Sequence, residues 1–265
     1  MEWRTSVETN YTPAWAAPIL VQVARPASVG AHGHEQRIVW RQMPRRPKPA
    51  PPTILALVRH GLTPTTGKQM PERGPGPSLS EEGIAQAEQA ALHIAAWRAQ
   101  WPAIAALYSS PLRRTRETAG LLAKYLDREV VEVPELADCD AGDWAGQELK
   151  HLAKRPEWAT VVHHPSDFCF PGGEALAGMA SRVVGAAKRL AGAHPGATVV
   201  AVSHADPIKA VLADALGMHL DMFQRVLVSP ASVSVISYSA SGAQVLEANW
   251  TGPPPPAERP GKEPG

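Results

Sequence analysis

The sequence predicts an α/β fold, a three-layer α/β/α sandwich with a mostly parallel central sheet. Short apolar runs of strand length alternate with longer amphipathic runs of helix length through the middle of the chain. The chain has 265 residues, of which 44% are hydrophobic, so it is long enough to bury a sizeable core. Prolines concentrate at the two ends, and the regular elements therefore fall between them.

Six strands are predicted from short runs rich in apolar and β-branched residues. The first and the fourth are continuous apolar runs, which are typical of strands buried on both faces of a sheet. The last two are separated by a turn at Ser241 and Gly242, so we expect them to pair as a hairpin and to add antiparallel strands. In chain order, the predicted strands are residues 53–58, 104–108, 129–133, 198–203, 232–238 and 244–247.

Four helices are predicted from apolar residues at helical spacing. Ser80 precedes Glu81 and Glu82 and predicts an N-cap for the first helix. Ser110 and Pro111 predict a cap and a first turn for the second. The stretch between the third strand and the third helix is predicted to be irregular. The predicted helices are residues 80–98, 110–126, 174–191 and 206–216.

The two ends differ in composition from the middle. Residues 1–52 hold eight of the 27 prolines, seven basic and three acidic residues, and residues 251–265 hold six prolines. Because proline runs favour extended, solvated backbone, we expect a disordered basic leader over 1–52 and a disordered tail over 251–265. One domain is predicted over 53–250. A start at Met43 is an alternative that would leave residues 1–42 untranslated.

The composition excludes several classes of protein. The formal net charge is +1, so the chain has no overall electrostatic footprint for nucleic acid. No apolar run has the length of a membrane span. Two cysteines cannot build a disulfide framework and fit a reducing compartment, so we expect a cytoplasmic protein. We therefore expect no nucleic-acid partner and no membrane, and a homodimer is left open.

Reactive side chains follow three of the predicted strands. Arg59 and His60 end the first strand, Arg113 and Arg114 lie in the first turn after the second, and His204 follows the fourth. Ligand sites in parallel sheets form where the carboxyl ends of strands meet the following loops. Two histidines and at least two arginines are therefore predicted at one sheet edge, where they would bind an oxyanion and offer a nitrogen nucleophile.

Six sequence blocks in one order resemble the histidine phosphatase superfamily, the phosphoglycerate-mutase-like proteins, and within it the phosphatase branch. The blocks are residues 58–63, 79–87, 109–119, 135–146, 171–174 and 202–204. The resemblance implies a phosphomonoester hydrolase that acts through a phosphohistidine intermediate and requires no metal or other cofactor. It also implies the α/β/α fold over residues 53–250.

Individual roles follow from the resemblance at the matching positions. His60 matches the histidine that carries the phosphoryl group, and we expect its other ring nitrogen to be bonded to a backbone carbonyl. Arg59 and Arg114 match the arginines that clamp phosphate. His204 matches the second histidine of the pocket, which would stabilise phosphate charge if protonated. Asp138 matches the acid that protonates the leaving oxygen.

The chain departs from the family pattern at two positions. The usual acid is a glutamate, and Asp138 is one methylene shorter, so Glu135, Asp140 and Asp206 remain rival proton donors. The family often has an asparagine where this chain has Thr66, whose hydroxyl can still bind a phosphate oxygen.

Two alternatives to hydrolysis remain open. A phosphomutase of the phosphoglycerate mutase type would return the phosphoryl group to substrate instead of water. An inactive relative would bind a phosphorylated ligand without turnover. The sequence does not identify the substrate, and we expect specificity to lie in residues 62–78 and 139–172.

Overall fold

A computed structural model describes residues 50–72, 74–97 and 101–252. Six strands form one sheet: β1 Thr53–Arg59, β2 Ile104–Ser109, β3 Val130–Glu132, β4 Thr198–Ser203, β5 Val233–Ser239 and β6 Gly242–Trp250. Their order across the sheet is β3-β2-β4-β1-β5-β6. The pairs β3–β2, β2–β4 and β4–β1 are parallel, whereas β1–β5 and β5–β6 are antiparallel. The prediction of a mostly parallel sheet with an antiparallel final pair is confirmed.

Helices cover both faces of the sheet. They are α1 Glu81–Ala96, α2 Arg113–Leu126, α3 Leu149–Leu152, α4 Trp158–His163, α5 Leu176–Gly192 and α6 Ala205–Ala215. A further 3₁₀ helix spans Leu220–Arg225. Among the described residues, no helix has the length and apolar character needed to cross a lipid bilayer.

Alternate side chains of β1 enter two different cores. Leu55 and Leu57 pack with α5, α6 and the segment between β3 and α5. Ile54 and Val58 pack on the opposite face against α1 and α2. Since six of the seven residues of β1 are buried, the strand lies in the middle layer of the predicted three-layer sandwich.

The structure corrects three local predictions. Helix α2 begins at Arg113 with Leu112 as its N-cap and no side-chain cap bond, and the hydroxyl of Ser110 is bonded to a histidine. Helix α5 begins at Leu176, and Glu174 precedes it. The stretch predicted to be irregular contains the short helices α3 and α4, which have too few turns to produce a clear apolar period.

The predicted leader and tail lie almost entirely outside the described residues, as does the alternative start at Met43. The predicted boundaries of the domain, residues 53 and 250, therefore stay predictions.

Candidate active site

The ends of three parallel strands bring the predicted residues together. The strand register places Arg59 of β1 beside Ser203 of β4, and the backbone N–H of His60 donates to the carbonyl of Ser203 at 3.0 Å. The backbone N–H of Ser110, after β2, donates to the carbonyl of Val202 at 3.0 Å. As a result, the ring centres of His60 and His204 lie 5.3 Å apart.

His60 is buried, with 5% of its surface exposed. Its Nδ1 lies 2.7 Å from the carbonyl oxygen of Gly61, which can only accept a hydrogen bond, so Nδ1 carries a proton. This confirms the expected backbone carbonyl. Burial, and then the nearby His204, Arg114 and Arg59, hold the pKa of His60 well below its usual range. His60 is therefore neutral, with the lone pair on Nε2.

The backbone of Gly61 approaches helix α1 closely. A Cβ at Gly61 would lie 2.3 Å from the carbonyl oxygen of Gly83, well inside contact distance. The N–H of Gly61 donates to the hydroxyl of Thr118 on α2 at 3.1 Å, and that hydroxyl donates to the carbonyl of Arg114 at 2.8 Å. The loop after β1 is thereby fixed to both helices on that face.

His204 is completely buried and lies behind the pocket surface. Its Nε2 is 2.8 Å from the hydroxyl oxygen of Ser110, and its Nδ1 is 3.5 Å from Oδ2 of Asp138. Among the described residues, that Nδ1 has no hydrogen-bond partner. Burial, then Arg114, Arg59 and Arg182, lower the pKa of His204 well below its usual value, so this ring is neutral as well.

Two arginines supply positive charge beside these rings. Arg114 is buried in the first turn of α2, and its Nη2 lies 3.0 Å from Oδ2 of Asp138. Arg59 donates from Nη1 to the carbonyl of Val228 at 2.7 Å. Its Nε is buried and unpaired among the described residues, which leaves a donor for a ligand.

Asp138 is positioned through its backbone by Arg182. The guanidinium donates to the carbonyls of Glu135, Ala137 and Asp138 at 2.8 to 2.9 Å. Two further bonds, at 2.7 and 2.9 Å, join it to the carboxylate of Glu174. Arg182 therefore fixes the turn that carries Asp138 and leaves the carboxylate of Asp138 directed at Arg114 and His204.

A cavity of about 610 Å³ opens above these groups. Arg59, His60, Thr66, Arg114 and Asp138 line it, whereas His204 does not. Its outer walls come from two regions. The predicted specificity range 62–78 contributes one wall, and the other consists of Ala205, Asp206 and Lys209 on α6 with residues 224–228. The prediction for 139–172 was largely wrong, since Leu149 is the one residue of that range in the lining.

The remaining predicted residues have different surroundings. Thr66 reaches the cavity, but its hydroxyl is 2.8 Å from that of Thr63. Among the rival acids, Asp206 lines the cavity and binds Lys209 at 3.1 Å. Glu135 forms an ion pair with Arg189 on the surface. Asp140 accepts a bond from the N–H of Gly142 and does not line the cavity.

The geometry combines a free imidazole lone pair, two guanidinium groups and a carboxyl group at one end of an open cavity. Guanidinium groups match the oxygens of phosphate, and an uncharged imidazole nitrogen can attack phosphorus. Over the described parts of the chain, no three His, Cys, Asp or Glu side chains are grouped to hold a metal ion.

Comparison with known proteins places this arrangement in a family. Residues 55–251 match the model of the histidine phosphatase superfamily (branch 1). The chain belongs to this superfamily. The match covers all six strands except two residues of β1, and it includes every residue that lines the cavity.

Relatives within the superfamily include several phosphatases. The chain is 31% identical over 257 residues to the "Bifunctional protein Rv2228c" of Mycobacterium tuberculosis, covering 95% of this chain and 69% of that protein. It is 32% identical over 163 residues to the "Metal-independent phosphoserine phosphatase" of Arabidopsis thaliana, covering 60% of this chain and 67% of that one. The solved mycobacterial glucosyl-3-phosphoglycerate phosphatase Rv2419c has the same fold, with a TM-score of 0.65 and 23% identity over 74% of this chain and 98% of that one.

Sequence reasoning missed two groups near the site. Ser110 was interpreted as a helix cap, although its place inside the block 109–119 was a signal for the pocket. Lys209 and the residues 224–228 carry no motif, and only the packing of α6 beside the 3₁₀ helix brings them to the cavity.

Proposed function

We propose that this protein is a phosphomonoester hydrolase that acts through a phosphohistidine intermediate on a small phosphorylated metabolite. The observation that carries the proposal is the hydrogen bond from Nδ1 of His60 to the carbonyl of Gly61. It leaves the lone pair of Nε2 available beside Arg59 and Arg114, the two groups suited to bind the phosphoryl oxygens.

In the first step, Nε2 of His60 attacks the phosphorus of the bound ester. A P–N bond forms while the bond between phosphorus and the ester oxygen breaks. The carboxylate of Asp138 takes up the proton of the monoanionic phosphomonoester as the ester binds, and it then transfers this proton to the departing oxygen, so that an alcohol is released. The guanidinium groups of Arg59 and Arg114 stabilise the negative charge on the equatorial oxygens throughout.

In the second step, water attacks the phosphohistidine. The carboxylate of Asp138 accepts a proton from the water as its oxygen bonds to phosphorus, and the P–N bond breaks. This proton leaves with inorganic phosphate, and His60 returns to its neutral form with Asp138 as a carboxylate again. Asp206 is the rival proton donor, because it also lines the cavity, although Lys209 holds its carboxylate.

We propose that the reaction needs no metal ion. The two arginines supply the positive charge that a metal would otherwise provide, and one relative carries the name of a metal-independent phosphoserine phosphatase. The cavity of about 610 Å³ accommodates a leaving group larger than the phosphoryl group itself. The substrate within this class is open.

The test measures release of phosphate from a panel of phosphomonoesters in the presence of a chelator. We compare the wild-type protein with His60→Ala and with His151→Ala, a control histidine that is exposed on α3. The expected result is turnover by the wild type and the control, with loss in His60→Ala. Quenching with alkali and detergent during turnover is expected to trap a base-stable, acid-labile phosphoprotein in the wild type and in the control, but not in His60→Ala.

Equal phosphate release from His60→Ala would overturn the assignment of His60. Transfer of the phosphoryl group to an acceptor alcohol, with little free phosphate, would identify a mutase. Tight binding of phosphomonoesters without any turnover would identify an inactive binding protein.

A further inference from the structure

The two histidines of the site have different kinds of hydrogen-bond partner. Nδ1 of His60 faces a carbonyl oxygen, which only accepts. Nε2 of His204 faces a hydroxyl, that of Ser110, which can either donate or accept. The tautomer of His60 is therefore fixed by the backbone, whereas that of His204 depends on where the Ser110 hydroxyl directs its proton.

The first observation that locates the hydroxyl proton is the second contact of the Ser110 oxygen. The backbone N–H of Leu112 points at Oγ of Ser110 from 3.5 Å, a long contact in which Ser110 is the acceptor. In the part of the chain that the structure describes, Nε2 of His204 is the one acceptor bonded to this hydroxyl. A buried hydroxyl that donated nowhere would lose a hydrogen bond, so the proton of Ser110 is directed at Nε2.

The second observation concerns Nδ1, the other nitrogen of the His204 ring. Nδ1 of His204 lies 3.5 Å from Oδ2 of Asp138, which is also bonded to Arg114. An unprotonated Nδ1 would place its lone pair against that carboxylate oxygen and the two would repel. A protonated Nδ1 places an N–H dipole towards it, which is favourable at short range in a buried site.

We propose that Ser110 is a positioning residue that donates to Nε2 of His204 and so fixes the tautomer with the proton on Nδ1. In the free protein this N–H faces Asp138. In the substrate complex it donates to an oxygen of the transferring phosphoryl group as Asp138 turns to the leaving oxygen. His204 thus contributes a neutral N–H donor and not an imidazolium.

The part concerning the substrate complex rests on the proposed function, whereas the tautomer does not. Nitrogen-15 NMR of the imidazole rings, in the free protein and with inorganic phosphate, distinguishes a protonated from an unprotonated ring nitrogen. Resonances are assigned by comparison with His204→Gln. We expect His60 and His204 each to be protonated on Nδ1. A proton on Nε2 of His204, or on both of its nitrogens near pH 7, would overturn the proposal whether or not the protein is active.

The functional arm compares three serine variants. Ser110→Ala removes the donor, Ser110→Thr keeps a hydroxyl, and Ser109→Ala is the matched control. The hydroxyl of Ser109 is equally buried one residue away, but it donates to the carbonyl of Ser110, and over the described residues it has no hydrogen bond to either histidine. Loss of one fixed donor to a transferring group typically costs about 10²–10³ in kcat. Because the ring remains in place, we expect kcat to fall about 10- to 100-fold in Ser110→Ala, with KM little changed.

Vanadate inhibition and NMR separate a positioning role from a structural one. We expect Ser110→Ala to weaken binding of vanadate, which resembles transferring phosphate, more than binding of inorganic phosphate. Its His204 is expected to keep the proton on Nδ1, which Asp138 also favours, but the Nε2 resonance should lose the shift caused by the hydrogen bond from Ser110, and Ser110→Thr should restore that shift. Equal loss of kcat in Ser109→Ala, or an unchanged Nε2 resonance of His204 in Ser110→Ala, would contradict the proposal. Absence of turnover in the wild type would count against the proposed function alone.

Discussion

The floor of the cavity and its outer walls are built in different ways. The floor consists of residues at the ends of parallel strands, and His60 has 5% of its surface exposed. The outer wall beside α6 carries Leu227, which is 69% exposed, and residues that follow a 3₁₀ helix. His60 of the floor is held by a backbone bond to strand β4, whereas Lys209 of the wall is held by side-chain bonds to Asp206 and Gln224.

The difference between floor and wall corresponds to two tasks of a phosphatase, which are binding the phosphoryl group and binding the leaving group. A phosphoryl group is the same in every phosphomonoester, so the groups that bind it can be fixed by the sheet. The leaving group varies, and residues on loops and short helices can change without disturbing the strands. Substitutions in the floor are therefore expected to affect every substrate alike, whereas substitutions in the wall are expected to change the preference among substrates.

The largest effect is expected for Arg114→Lys. Lysine cannot reproduce the planar pair of guanidinium donors that holds two phosphate oxygens. The 3.0 Å contact between Nη2 of Arg114 and Oδ2 of Asp138 is also lost. We expect kcat/KM to fall by about 10²–10³, equally across a panel of phosphomonoesters. Arg113→Lys, one position earlier and exposed, is the matched control and should retain activity. A loss confined to a few substrates would remove the distinction between floor and wall.

A smaller effect is expected in the pH dependence of stability. The pKa values of His60 and His204 lie below those of the unfolded chain, because of burial and then of the neighbouring groups, of which His204 comes first for His60 and Arg114 comes first for His204. Below about pH 6.5 the unfolded state binds more protons than the folded state, so stability is present above this pH and is lost as the pH falls. The slope is on the order of 1 kcal/mol per pH unit for each histidine.

Chemical denaturation between pH 5 and pH 8 measures this dependence. His60→Gln and His204→Gln should each flatten the curve, whereas His151→Gln, at an exposed position, should leave its slope unchanged. A wild-type curve that is flat below pH 6.5 would show that the buried pair does not titrate as inferred.

The smallest effect is expected for Lys209→Met in the wall. The ammonium group lies 3.1 Å from Asp206 and 2.8 Å from Gln224, and methionine keeps much of the apolar stem. We expect kcat/KM to change by less than about tenfold, in different directions for different substrates, because only the leaving group meets this wall. The melting temperature should stay within a few degrees. A uniform loss as large as that of Arg114→Lys would place Lys209 with the floor.

The sequence was informative where a motif and a strand end coincide. His60 and His204 follow apolar runs, and the α/β alternation alone predicts that such residues meet at one edge. It was less informative where a side chain has two plausible partners. The serine at 110 is a good helix cap by local rules, yet the tertiary structure gives its hydroxyl to a histidine 94 residues later in the chain. Lys209 shows the same limit, since its place at the cavity depends on how α6 packs.

The hydrogen bond from the backbone of His60 to the carbonyl of Ser203 also has a consequence for biosynthesis. Strand β1, which ends directly before His60, is synthesised before its two neighbours in the sheet, β4 and β5, which follow about 140 to 180 residues later. Until then, an apolar strand lacks its partners, and pairing over such long separations is slow. His60 is therefore synthesised near the start of this domain, and the backbone bond that holds it beside β4 can form only after β4 has been made.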